Sequence, residues 1–167
     1  APELSSRTVS FVEHEPSMSS RSKVRAVALR KAVSSCSAVA TASVVSTTSI
    51  VASPLDHLEP ETPTLLVSFA RSGNSPESLA TTALADQLVD QVWHLVLTCD
   101  REGKLGRAHT DRPDSLVVYM PDRTNDSGFA MTSSLTSMLL TCLLMLGPAR
   151  SDQIEALARA AEHVAGM

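Results

Sequence analysis

The run SFARSGNSPES, residues 68–78, follows the apolar stretch TPTLLV at 62–67, and its reading decides the fold. The chain leaves an apolar segment, passes through small polar residues around Gly73, and meets Ser-Pro-Glu at 75–77. Ser75 suits the cap position of a helix, Pro76 its first turn, and Glu77 the positive end of its dipole. The predicted order is therefore strand, tight turn, helix. Leu79, Ala83, Leu84 and Leu88 supply that helix with an apolar stripe.

Working outward, apolar runs rich in β-formers recur at 44–51 (VVSTTSIV), 64–69 (TLLVSF), 92–99 (VWHLVLTC) and 115–120 (SLVVYM). They are continuous rather than alternating, as strands buried on both faces of a parallel sheet require. Helical patterns lie between and after them. The last, SDQIEALARAAEHVAG at 151–166, opens on Ser151, repeats Ile154, Leu157, Ala158, Ala161 and Ala165, and stops at Gly166. Strands alternating with helices predict an α/β fold: a mostly parallel sheet flanked by helices in three layers.

In such a sheet, ligands bind beyond the carboxyl ends of the strands, where RSGNS at 71–75 would lie. Outward amides of a tight turn, with Ser72, Asn74 and Ser75 beside them, suit a phosphate group. The same residues also suit a plain strand-to-helix turn with a good cap, and the pattern alone leaves both readings open. A nucleotide P-loop is excluded, because no Gly-Lys-Ser/Thr ending is present. A nucleophile elbow is excluded too, since neither Ser72 nor Ser75 has glycines two places to each side.

Composition narrows the partners. A chain of 167 residues, 43% hydrophobic and 19% charged, holds one core, and a net charge of −4 offers no broad footprint for nucleic acid or an anionic membrane. Cys36, Cys99 and Cys142 form no CxxC pair and leave an odd thiol, which points to a reducing compartment and a cytoplasmic protein. No secretory leader pattern opens the chain. The uncharged stretch at 129–146 is near the short limit for a membrane span, but hydroxyls at Thr132, Ser133, Ser134, Thr136, Ser137 and Thr141 favour a buried core helix. Residues 1–43 show no sustained period, and their basic run at 21–31 reads as a solvated or disordered segment before a contact for an anionic partner.

Candidate catalytic groups are few. His94 sits inside an apolar run and reads as a core or edge histidine, whereas His109 reads as a loop residue without a partner. Glu77 is explained by helix-start chemistry. The five histidines, at 14, 57, 94, 109 and 163, form no HxxxH or HExxH cluster, so no metal site is expected.

SFARSGNSPES resembles the signature of the sugar isomerase (SIS) fold. LLVSFARSGNSPES at 65–78, followed by NDSGFAMTSSLTSMLL at 125–140, resembles more narrowly the tagatose-6-phosphate ketose/aldose isomerases, a family that includes galactosamine-6-phosphate deaminases. The likeness runs from about residue 44 to the end. It implies that Arg71, Ser72, Gly73, Asn74 and Ser75 hold a sugar phosphate, that Thr98 and Cys99 line the sugar site, and that Asp126 is a further candidate. Thr132 and Ser133 are expected to serve the helix start.

The resemblance also implies action without metal or organic cofactor and pairing of SIS domains as dimers. It implies a second SIS domain beyond Met167, with the catalytic glutamate and histidine there or in a neighbouring subunit. No catalytic residue is assigned within this chain. APELSSR at 1–7 resembles the helix after the family's first strand and its GAGTS-like loop, and the likeness lapses over residues 8–43. That strand and loop are expected to be missing, leaving a partial SIS domain over 44–167. The function expected is a phosphosugar-binding fragment of an aldose-ketose isomerase or amino-sugar-phosphate deaminase. The alternatives are a sugar-phosphate-sensing regulatory domain and an inactive truncated product.

Overall fold

A computed structural model describes residues 43–128, 130–146 and 151–165. The basic run at 21–31, the expectation of a missing first strand, and the helix stop at Gly166 lie outside the described residues.

Three parallel strands form the sheet in the order β1 (Thr64–Ala70), β2 (Val92–Thr98), β3 (Ser115–Tyr119). Helix α1 (Thr47–Ala52) precedes them, α2 (Pro76–Leu88) and α3 (Lys104–Thr110) connect them, and α4 (Thr132–Leu146) and α5 (Ser151–Ala165) follow. Leu65 aligns with Trp93 and Val67 with Leu95, while Leu95 aligns with Leu116 and Leu97 with Val118. These side chains share one face, where Met138, Cys142 and Met145 of α4 pack on them. Successive residues point to opposite faces of a strand, so Ala70, Val96 and Val117 meet Leu79 of α2 and Leu105 of α3 on the other face. Helices on both faces give the three layers predicted. Leu95, Val96 and Leu97 have no exposed surface, which is why β2 reads as an unbroken apolar run rather than an alternation.

The run at 44–51 is a helix and not the strand its composition suggested. Ser46 decides the matter: its hydroxyl accepts from the Ser49 N–H at 3.1 Å and caps the first turn. Only Ile50 of this helix is buried, against Leu58, Ala85 and Val89. A single buried residue per helical repeat leaves no apolar period for the sequence to display.

Helix α2 forms as expected, with the Ser75 hydroxyl accepting from the Ser78 N–H at 3.2 Å and Pro76 in the first turn. Its packed face differs from the predicted stripe. Ala83 is exposed, while Thr81, Thr82 and Ala85 are buried. Thr82 can be buried because its hydroxyl donates to the Leu79 carbonyl at 3.1 Å.

Helix α4 is packed on one side only. Ser134 and Met138 are buried, yet Leu135, Leu139 and Leu143 are each about half exposed or more, at 57%, 49% and 58%. The expectation of a buried core helix is therefore corrected for the described residues, since only one side of it is covered. Its hydroxyls are absorbed locally: Thr136 donates to the Thr132 carbonyl at 2.7 Å and Ser137 to the Ser133 carbonyl at 2.6 Å. Among the described residues no helix is long and apolar enough to cross a membrane. Leu157 of α5 is 51% exposed and Ala158 is exposed as well, so these two members of the predicted stripe face solvent.

Candidate functional site

The carboxyl ends of β1 and β2 bring two loops together, and Gly73 begins the arrangement. Its φ of 63° lies in the left-handed region that only glycine adopts cheaply. A Cβ there would stand 3.0 Å from the Leu105 Cβ. The turn so made sends the Gly73 carbonyl to the Leu105 N–H at 2.9 Å and the Asn74 Oδ1 to the Lys104 N–H at 3.1 Å. Two orphan donors at the start of α3 are thereby satisfied by the loop after β1.

Gly103 presses against the loop from the other side. A Cβ at Gly103 would lie 2.1 Å from the Ser72 carbonyl oxygen, a separation no side chain tolerates. Sequence reading missed Gly103, Lys104 and Leu105. The available signal was DREGK at 100–104, a turn directly after a strand end.

Arg71 is the junction of the strand ends. Its carbonyl accepts from the Cys99 N–H at 3.0 Å and the Thr98 hydroxyl at 3.3 Å, and its Nη1 donates to the Asp126 carbonyl at 2.5 Å. Thr98 and Cys99 are buried beneath, and the Cys99 thiol faces Thr124 at 3.9 Å. The Asp126 Oδ2 accepts from both the N–H and the hydroxyl of Ser134, each at 2.8 Å. Asp126 is thus the cap of α4 reached across a loop, and these donors hold its carboxyl below the usual range. Thr132 and Ser133 belong to the first turn of α4, as expected.

What remains open is the backbone of the loop. Among the described residues no protein acceptor receives the N–H of Ser72, Gly73, Asn74 or Ser75. Gly73 is buried, Ser72 half-buried, and Asn74 and Ser75 exposed. Successive unpaired amides at a strand end, ahead of a helix N-terminus, can surround an anion.

Known proteins share this framework. The crystal structure of tagatose-6-phosphate ketose/aldose isomerase from Escherichia coli superposes with a TM-score of 0.64 and 40% identity, over 75% of this chain and 34% of that one. A protein of Streptomyces coelicolor provisionally named D-galactosamine-6-phosphate deaminase AgaS is 59% identical over 114 residues, 68% of this chain and 30% of its own. The chain is homologous to part of an SIS-domain protein. D-galactosamine-6-phosphate deaminase AgaS of Escherichia coli O157:H7 is 47% identical over 96 residues, which are 58% of this chain and 25% of that protein. The chain thus spans about a third or less of the length of the relatives it matches. No protein-family model matches it.

Opposite the 71–75 loop, near the amino ends of β2 and β3, lies a second polar cluster. His109 is part of α3 and only 2% exposed, not the partnerless loop residue expected. Its Nδ1 meets the Ser115 hydroxyl at 2.9 Å, and its ring lies 4.6 Å from that of His94. The fully buried His94 contacts the Asp86 Oδ1 through Nε2 at 2.9 Å and leaves Nδ1 without a partner. Arg112 bridges Asp86 and Asp114 with bonds of 2.6 to 3.0 Å. Burial first, then the charges of His94 and Arg112, lower the His109 pKa to about 4. The hydrogen bond from Arg112 is the main cause that lowers Asp114 to about 2. Among the described residues no group of three or more His, Cys, Asp or Glu is placed to hold a metal.

Proposed function

We propose that residues 44–167 form a phosphosugar-binding SIS unit, part of a sugar-phosphate aldose-ketose isomerase or amino-sugar-phosphate deaminase. One observation carries this reading: four successive amides, those of residues 72–75, meet no protein acceptor among the described residues at the carboxyl end of β1. Relatives named for galactosamine 6-phosphate and tagatose 6-phosphate support the choice of anion. The Ser72 hydroxyl and the Asn74 amide N–H groups would add donors, while Thr98 and Cys99, buried below the loop, would hold it in place through the Arg71 carbonyl. Ser75 would contribute its N–H alone, because its hydroxyl caps α2.

Proton transfer between adjacent sugar carbons needs a positioned base, and that chemistry belongs to the whole protein rather than to any side chain named here. A dimer is part of the same reading, supported by the apolar outer row of α4 at Leu135, Leu139 and Leu143. A cytoplasmic setting agrees with Cys99 and Cys142, both of which are free thiols.

Thermal denaturation with galactosamine 6-phosphate, tagatose 6-phosphate and the two unphosphorylated sugars tests the proposal. Stabilisation by the phosphorylated pair alone is expected, about 2.7 kcal/mol at one hundred times the dissociation constant. No shift with either phosphate, or equal shifts with the free sugars, removes the reading.

A further inference from the structure

Arg71 carries the one positive side chain in the RSGNS loop, which would make it the natural partner of a bound phosphate. Its surroundings argue otherwise. The guanidinium reaches a main-chain carbonyl 55 residues away, at Asp126, while the Arg71 carbonyl is held by two donors from the end of β2. Asp126 in turn closes on the buried Ser134 through its carboxylate. Among the described residues, Arg71–Asp126 is the only hydrogen bond joining residues 125–131 to the strand ends. Without it, no polar tie among the described residues joins the loop that caps α4 to the 71–75 loop.

We propose that Arg71 is a positioning residue: it fastens the 71–75 loop to the Asp126 cap of α4 and does not contact the bound anion. This deepens the reading of 72–75 as a phosphate loop and rests on it for the ligand, though the fastening itself does not. An uncharged carbonyl is a modest acceptor for guanidinium. It is nonetheless fixed in space by the capped helix behind it, so a planar donor can set the distance between the two loops.

The experiment compares wild type, R71M and R71K in two ways. Hydrogen exchange without ligand reads the fastening: R71M should speed exchange of the Ser134 amide at least about tenfold, and R71K, which keeps a cationic N–H donor group, should recover most of the protection. Titration with galactosamine 6-phosphate at low and moderate salt reads the ligand role. Loss of positioning should weaken binding about threefold to tenfold and leave its salt dependence as in wild type. A loss above about thirtyfold in R71M, with the salt dependence abolished, would mean that the guanidinium touches the phosphate and would overturn the proposal. Unchanged Ser134 exchange in R71M would overturn it as well. If wild type binds no phosphosugar, the functional reading fails, and the exchange measurement still decides the role of Arg71.

Discussion

Acidification should loosen this protein before Asp114 takes up its proton, and His109 is the reason. A buried imidazole whose pKa falls from 6.5 to about 4 is neutral in the folded chain and takes up a proton more readily once unfolded. Its contribution is complete above pH 6.5, declines as pH falls from 6.5 to about 4, and is lost below that. The gap of roughly 2.5 units, at about 1.36 kcal/mol each, amounts to about 3 kcal/mol. Asp114 acts later, because a carboxyl lowered to about 2 loses its contribution only as pH drops from 3.8 toward 2. The two windows barely overlap.

Urea unfolding followed by circular dichroism at half-unit steps between pH 7 and 4 measures the first window. A slope of about 2 kcal/mol per molar makes the expected fall in midpoint roughly 1.5 M. His109→Asn, whose side-chain amide can still meet the Ser115 hydroxyl, should lower stability at pH 7 yet remove most of the decline toward pH 4. A variant with the same pH slope as wild type, or an imidazole resonance of His109 that titrates near 6.5, would refute the reasoning.

Further outcomes follow from single contacts. Gly103→Ala should abolish phosphosugar binding, because the added Cβ meets the Ser72 carbonyl oxygen at 2.1 Å; calorimetric titration checks it. Ser75→Ala removes the cap of α2 and should cost about 1 kcal/mol in urea unfolding while the Ser75 N–H stays in place. Leu95→Ala empties a site with no exposed surface and should cost about 2 to 5 kcal/mol, read from the same denaturation curves. Leu139→Glu should shift sedimentation toward the monomer without altering the helical signal, since this side chain is 49% exposed on α4.

The strands were legible because a parallel sheet covered on both sides asks for uninterrupted apolar residues, and the runs TLLVSF, VWHLVLTC and SLVVYM answer that demand. VVSTTSIV has the same composition but a different fate, since one cap hydroxyl at Ser46 and one buried Ile50 outweigh β-branched content. Of the candidate site, the loop itself was legible from its small polar residues. Its support was not, because Gly103 and Leu105 become neighbours of Gly73 only when β1 and β2 pair. His109 was misplaced for a related reason: its partner Ser115 and its neighbour His94 lie on two different strands. Helix α4 shows a further boundary of such reading, because apolar content does not state how many sides of a helix are covered.

Leu135, Leu139 and Leu143 stand in line at four-residue spacing along α4, facing water. Such a ridge makes the chain's behaviour depend on how much of it is in the tube. Melting temperature should climb with protein concentration where copies shield one another, and light scattering should report net attraction in dilute buffer. Mild detergent or a short amphipathic peptide would then act as a substitute neighbour, raising solubility without entering the sheet.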